Sequence, residues 1–137
     1  MPGYSGTPLP KKLGIKEGLG VGLVGVPAEV KAELRDALAG CRIASDMRGP
    51  LDFIFLSSKS RTELQREMQR AARALAPTGM LWISWPKKSS GVATDLTEDI
   101  IRQIGLKTGL VDVKVCAVTD VWSGLKFVIP LKNRPKH

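Results

Sequence analysis

The chain has 137 residues, of which 43% are hydrophobic and 25% are charged. This length suits one domain, and the composition excludes a disordered or fibrous chain. No uncharged apolar run approaches the roughly 20 residues that span a bilayer, and the first residues lack the apolar core of a signal peptide. The sequence therefore predicts a cytoplasmic protein that contacts no membrane.

The net charge is +8, from 21 Lys and Arg against 13 Asp and Glu. Such a charge favours anionic partners, including phosphates, nucleic acids and acidic protein surfaces. The basic residues are spread along the chain, and three Trp, one Tyr and three Phe provide little material for stacking on bases. We therefore expect an anionic partner, with nucleic acid as one alternative.

The cysteines and the histidine limit the available chemistry. Cys41 and Cys116 lie far apart within apolar stretches, which predicts two free, buried thiols. The single histidine is the last residue, His137, so an interior histidine base or histidine-containing metal site has no candidate. We predict no catalytic residue and no bound metal.

Three segments divide the chain. Residues 1–13, rich in Gly, Pro, Ser and Thr, predict a leader on the surface of a single domain that spans residues 14–131, and residues 132–137 form a basic tail. The leader residues able to dock on an apolar patch are Tyr4, Pro8, Leu9 and Leu13.

The first predicted unit is a strand followed by a helix. Residues 19–26 are apolar and uncharged, which indicates a buried strand of a parallel sheet. Residues 27–40 have apolar positions at helical spacing. Residues 41–45 predict a short second strand. Since a parallel crossover usually needs a dozen residues and only residues 46–50 follow, we expect that strand to be short, irregular or not parallel to its neighbours.

The middle of the chain predicts a strand, a helix and another strand. Residues 51–58 form the third predicted strand, and residues 61–75 have a single apolar stripe typical of a helix. Pro77 and Gly79 are predicted to end this helix. Residues 80–85 form the fourth predicted strand.

The last part predicts a helix and an antiparallel hairpin. Asp95 is the predicted N-cap of the helix, with Glu98 in the capping-box position. Two strands, residues 110–122 and 125–131, then follow across a predicted turn at Ser123 and Gly124.

This order of elements resembles the class I S-adenosylmethionine-dependent methyltransferase fold with its middle shortened, and residues 51–56 and 74–81 resemble its local sequence. The resemblance implies a three-layer, Rossmann-like α/β fold with about six strands and a C-terminal antiparallel hairpin. Six further motifs resemble a small bacterial family of stand-alone domains that has no assigned activity. They are residues 3–9, 12–15, 85–87, 94–97, 109–118 and 122–125.

A glycine pattern is the first candidate for a cofactor site. Gly20, Gly22 and Gly25 match a dinucleotide-binding fingerprint, with Asp46 where the ribose-binding acid would lie. Two of the glycines fall inside the predicted strand, and Pro27 lacks an N–H that would face a phosphate. The favoured interpretation is therefore that the glycines allow close packing of the strand and helix. No cofactor is expected, and the alternative is that S-adenosylmethionine binds here.

The predicted carboxyl ends of the parallel strands form the second candidate. Ligands of open α/β sheets bind at this edge. Lys87 and Lys88 would pair with an anion, and Trp85 would provide a stacking wall, unless it packs in the core beneath a solvated loop. The speculative ligand-binding residues are Gly25, Asp46, Ser57, Ser58, Trp85, Lys87 and Lys88.

Two further clusters have ordinary structural explanations. Arg66, Arg70 and Arg73 could contact phosphates, but solvated arginines are common on helices. Asp95, Glu98 and Asp99 are explained by their positions near a helix start.

The sequence favours a non-catalytic binding domain for an anionic, nucleotide-like ligand or a partner macromolecule. The alternatives are a minimal S-adenosylmethionine-dependent methyltransferase and a nucleic-acid or protein interaction module that uses the basic surface. The exposed edge of the hairpin allows either a monomer or a homodimer.

Overall fold

A computed structural model describes residues 7–134, so the predictions on Tyr4 and His137 lie outside the described residues. Ten helices and strands of this part of the chain are used below. They are α1 (Leu9–Leu13), β1 (Gly20–Val24), α2 (Ala28–Leu38), β2 (Arg42–Ile43), β3 (Leu51–Ser57), α3 (Arg61–Ala74), β4 (Leu75–Pro86), α4 (Glu98–Lys107), β5 (Val111–Ala117) and β6 (Trp122–Val128).

The strands form one six-stranded sheet in the order β2-β1-β3-β4-β6-β5. The first four strands in that order are parallel, and β6 is antiparallel to both β4 and β5. This confirms the predicted α/β fold with a C-terminal antiparallel hairpin. The last strand of the chain enters between β4 and β5, which leaves β2 and β5 at the two edges.

Helices cover both faces of the sheet, and residues of β3 alternate between the two cores. Phe53 and Phe55 pack with α1 and α2 in the α2-side core, whereas Ile54 and Leu56 pack with α3 and α4 in the α3-side core. Burial on both faces explains why the strands read as continuous apolar runs. The α2-side core also contains Leu9, Leu13, Val21, Val30, Leu34, Trp82, Val118 and Trp122.

A loop, not a helix, connects β2 to β3. β2 has only two residues and is parallel to β1, so the prediction that it is short is confirmed. Residues 44–50 bring the chain across the α3 side of β1, where Met47 packs against the core. A Cβ on Gly22 would lie 3.1 Å from the sulfur of Met47. A glycine in β1 therefore allows the crossover to pass close to the sheet.

The fourth strand begins earlier than predicted. β4 starts at Leu75, directly after α3, instead of at residue 80. Leu75 pairs with Leu51, and the register then shifts so that Met80 pairs with Phe53. The predicted helix end at residues 77–79 is therefore an irregular start of the strand.

The predicted cap of α4 is wrong. Thr97, not Asp95, is its N-cap, and Thr97 Oγ1 accepts a hydrogen bond from the backbone N–H of Ile100 at 3.2 Å. Asp95 Oδ1 instead accepts from the backbone N–H of Arg61 at 2.8 Å. Asp95 thus ties the loop before α4 to the first turn of α3.

The predicted hairpin turn at Ser123 and Gly124 is also wrong. The chain turns at residues 118–121, where Thr119 Oγ1 accepts from the backbone N–H groups of Val121 and Trp122 at 3.1 and 3.0 Å. These residues are called the β5–β6 turn below. Across residues 7–134, no helix combines the length and apolar character needed to cross a membrane.

Candidate functional site

The carboxyl ends of β1, β3 and β4 meet at one edge of the sheet, called here the carboxyl edge. β6 begins at the same edge because Trp122 pairs with Pro86 at the end of β4. The carboxyl edge therefore comprises Gly25, Ser57, Ser58, residues 85–88 and the β5–β6 turn. Six of the seven predicted ligand-binding residues lie here.

Gly25 packs against the neighbouring strand. Its φ is +62°, a conformation that favours glycine, and a Cβ at this position would lie 2.9 Å from the carbonyl oxygen of Ser57. Within β1, Gly20 donates its backbone N–H to Asp52 Oδ2 at 2.8 Å. The fingerprint-like glycines thus have packing and hydrogen-bonding roles that need no bound phosphate.

Ser57 has an unusual environment at the end of β3. Its side chain follows Phe55 by two positions and so faces the α2 side of the sheet. The residue is 7% exposed, and its Oγ atom is buried without a hydrogen-bond partner. Ser58 is equally buried, but its Oγ donates to the carbonyl of Ser60 at 3.1 Å. A buried hydroxyl without a partner is rare, and this one is closed to solvent in the structure.

Sequence reasoning missed a side-chain contact that crosses the carboxyl edge. Trp122 Nε1 donates to Glu29 Oε1 at 3.1 Å, and Trp122 is 6% exposed in the α2-side core. The bond joins the first turn of α2 to the start of β6, on the same face of the sheet as Ser57. The two residues lie 93 positions apart, so no local pattern indicates the contact.

Three lysines lie at the carboxyl edge. Lys87 is half-buried, and its backbone N–H donates to the carbonyl of Val121 at 2.9 Å. Lys88 is exposed at the start of a short 3₁₀ turn. Lys12 Nζ donates to the carbonyl of Ala117 at 3.0 Å. Within residues 7–134 none of these lysines forms a salt bridge, so their charges are available to an anion.

Trp85 does not present an open aromatic face. It is 5% exposed and belongs to the α3-side core. Its neighbours in sequence, Ser84 and Pro86, face the other side of the sheet. Trp85 therefore packs in the core beneath the loop, as the alternative interpretation has it. In this conformation it cannot stack against a ligand.

Asp46 lies apart from the other predicted residues. It follows β2, and its carboxylate forms an exposed ion pair with Arg48 at 3.3 Å. β1 and β3 lie between β2 and β4 in the sheet, so the strand that precedes Asp46 is not a neighbour of the strand that precedes Lys87. A ligand that contacted both would have to extend across the edge.

In the remaining predicted clusters, some residues have local partners and others have none. Arg66, Arg70 and Arg73 are exposed, and Arg70 Nη2 lies 3.3 Å from Glu67 Oε2 without the alignment of a hydrogen bond. Glu98 and Asp99 form salt bridges with Arg102. Within residues 7–134, no three His, Cys, Asp or Glu side chains are arranged to hold a metal ion.

Both cysteines are free, as predicted, and each is half-buried. Burial is the main reason that the pKa of the Cys116 thiol is raised, and the positive charges of Lys12 and Lys114 oppose the effect. Cys116 is therefore held in the neutral thiol form, which is a poor nucleophile.

No protein-family model and no curated protein matches the chain. Solved structures do. The chain is similar to a SAM dependent methyltransferase from Aquifex aeolicus, with 17% identity and a TM-score of 0.60 over 88% of this chain and 87% of that chain. It is also similar to magnesium protoporphyrin IX methyltransferase from Synechocystis with bound SAH, with 13% identity and a TM-score of 0.58 over 89% of this chain and 78% of that chain. These likenesses confirm the methyltransferase-like Rossmann fold, and at such low identity they concern the fold alone.

Proposed function

We propose that this chain is a non-catalytic binding domain whose carboxyl edge takes an anionic, nucleotide-like ligand. The single observation that carries the proposal is the buried Ser57 Oγ, which has no hydrogen-bond partner. Leaving such a hydroxyl unpaired costs about 1–3 kcal/mol, and a ligand oxygen or nitrogen would recover that free energy once the groups that cover Ser57 move aside. The hydroxyl lies where ligands of open α/β sheets bind.

The surrounding charges support an anionic ligand. Lys87 and Lys88 extend from the end of β4 without a carboxylate partner among the described residues. Glu29 lies on the same side as Ser57, and its Oε2 can accept a hydrogen bond while Oε1 holds Trp122. A ligand with both a phosphate-like group and hydroxyls, as a nucleotide has, would use all of these groups.

The side chains near the edge offer little for catalysis. Glu29 accepts a hydrogen bond from the indole of Trp122. The hydroxyls of Ser58 and Ser84 donate to the carbonyls of Ser60 and Ser123, respectively. The space toward which a side chain at Gly25 would point is filled by the backbone of Ser57. Binding without chemistry is therefore the simplest use of this site.

Replacing Ser57 tests the binding site directly. Ser57→Ala is expected to reduce the thermal shift that a ligand gives, because it removes a hydrogen-bonding group that contributes about 1–3 kcal/mol to binding. The measurement is the Tm with S-adenosylhomocysteine, S-adenosylmethionine, NAD, ATP and GTP. A ligand at a hundred times its Kd adds about 2.7 kcal/mol, which is several degrees in a domain of this size.

Ser58→Ala is the matched control, since Ser58 is equally buried at the same edge but already hydrogen-bonded. It should keep the ligand shift and lose about 0.5–1.5 kcal/mol of stability without ligand, whereas Ser57→Ala should lose none. No shift of the unmodified protein with any of the five compounds, or a shift that Ser57→Ala retains, would contradict the proposed site.

The second candidate function is a minimal S-adenosylmethionine-dependent methyltransferase. Its specific support is Asp46, which follows β2 at the carboxyl side and has only an exposed partner, Arg48. Ribose hydroxyls are bound by an acid in such a position in dinucleotide folds. The structural likeness to methyltransferases is compatible with this alternative.

The methyltransferase candidate predicts that S-adenosylhomocysteine raises the Tm and that Asp46→Ala removes the shift. Asp36→Ala is the control, because Asp36 is an exposed aspartate of α2 with a similarly loose partner, Arg35, at 3.7 Å. If the two variants gave equal Tm shifts, Asp46 would not contact the ligand. A shift that depends on Ser57 but not on Asp46 would favour binding without methyl transfer.

A further inference from the structure

A second surface with binding character lies between α3 and α4, on the opposite side of the sheet from α1 and α2. Two cavities of about 290 and 250 Å³ share Gln69, Lys107 and Thr108, and so form one continuous open groove. Gln65 and Arg73 mark its two ends along α3. Eight residues of helix separate these ends, which makes the groove about 12 Å long.

The charged residues that line the groove are both cations. Arg73 and Lys107 line it from opposite helices, and no carboxylate is among its lining residues. Neither cation forms a salt bridge within residues 7–134. Arg66, seven residues before Arg73 and exposed, lies on the same side of α3 and extends the row of positive charges.

Three carboxylates of the two helices lie beside arginines outside the groove. Arg102 binds Glu98 and Asp99 together with Asp112 of β5, so the acidic side of α4 faces away from α3. Glu67 lies beside Arg70 on the other flank of α3. This separation of charge leaves a groove that is lined by two cations and by no carboxylate.

The uncharged lining residues complete a hydrogen-bonding surface. Gln65 and Gln69 present side-chain amides, and the apolar residue Ile104 lies beside them. Guanidinium, ammonium and amide donors are the groups that contact phosphate oxygens in nucleic-acid complexes. The lining contains no aromatic residue, so bases could not stack in the groove.

We propose that the α3–α4 groove binds the sugar-phosphate backbone of a single-stranded nucleic acid, independently of base sequence. The two cations lie along an open groove between two helices. A flexible single strand can bend along this groove. A duplex has a persistence length of roughly 150 base pairs and is too stiff to bend into it. This site is separate from the carboxyl edge and does not depend on a ligand there.

The test is fluorescence anisotropy of a labelled 16-nucleotide oligouridine with the full chain, over a range of salt concentrations. The double variant Arg73→Gln, Lys107→Gln should weaken binding about tenfold at low salt and reduce the slope of log K against log salt by about 1.4, since each phosphate contact on a single strand contributes about 0.7. The matched control is Lys31→Gln, Arg35→Gln, which removes the same two charges from exposed positions of α2.

The control variant should bind almost as the unmodified chain does. Equal weakening by both double variants would overturn the proposal, because binding would then follow net charge. Tighter binding of a duplex, or of a polyglutamate peptide of the same charge, would also overturn it and assign the groove to that partner. Ser57→Ala should bind the oligonucleotide normally, so the two proposals can fail separately.

Discussion

Arg102 concentrates more charge contacts than any other described residue. Its Nε lies 2.8 Å from Asp112 Oδ2, while its two Nη atoms lie 2.6 Å from Glu98 Oε2 and 3.0 Å from Asp99 Oδ1. The hydrogen bond from Arg102 is the main reason that the pKa of Asp112 is lowered, and burial opposes it. One guanidinium thus joins the first turn of α4 to the edge strand β5.

Asp112→Asn should be less stable than the unmodified chain at pH 7, by about 1–2 kcal/mol for a partly exposed charged hydrogen bond. Because folding lowers the pKa of Asp112, its contribution is present above the ordinary value of 3.8 and is lost as pH falls below it. The difference between the two proteins in urea unfolding should therefore shrink from about pH 5 to about pH 2. A difference that stays constant over this range would contradict the assignment, and Asp36→Asn should show no difference at either end.

At the scale of elements, local pattern predicts both bounds of α3 and of β3 to within a residue. The apolar stripe over residues 61–75 predicts α3, which ends at Ala74, and the run over residues 51–58 predicts β3, which ends at Ser57. The helix buries one stripe of side chains and the strand is buried on both faces. Their hydrophobic patterns therefore indicate their secondary structure. The carboxyl edge follows from the same logic, because parallel strands end together.

The errors occur where a distant element determines the local structure. Asp95 and Thr97 are both good N-cap residues, and Asp95 is taken by the N–H of Arg61, 34 positions away. Gly124 reads as a turn glycine, but it lies inside β6, where a Cβ would come within 3.0 Å of Val118 and 3.2 Å of Trp82. A single sequence holds no local signal for either contact.

Contacts between distant segments also explain why some site residues could not be predicted from the sequence. Trp82 and Trp85 face opposite sides of β4, and both sides are buried, so polarity does not indicate which tryptophan lies beneath the loop. The hydrogen bond between Trp122 and Glu29 joins residues 93 positions apart. Its existence depends on β6 entering the sheet beside β4, which becomes visible only in the assembled fold.

At the scale of the whole molecule, two helices of unequal length share one face of the sheet. α2 has 11 residues and α1 only five, yet both contribute to the α2-side core. The short helix reaches the half of the sheet beyond α2: the carbonyl of Leu13 accepts from Trp82 Nε1 at 2.9 Å, and Lys12 binds the end of β5. Residues 9–13 of the predicted surface leader thus form a helix that covers part of the sheet.

Leu13→Ala should therefore destabilise the whole domain. Leu13 is 1% exposed, and truncating a buried leucine costs about 2–5 kcal/mol from lost transfer free energy and the cavity left behind. That is a large part of the 5–15 kcal/mol typical of a domain. Leu131→Ala is the matched control, since Leu131 is 78% exposed and its truncation should change the free energy of unfolding by less than about 0.5 kcal/mol. Equal urea midpoints for the two variants would mean that α1 contributes little to the fold, whereas a selective loss in Leu13→Ala would show that the sheet needs this five-residue helix as its cover.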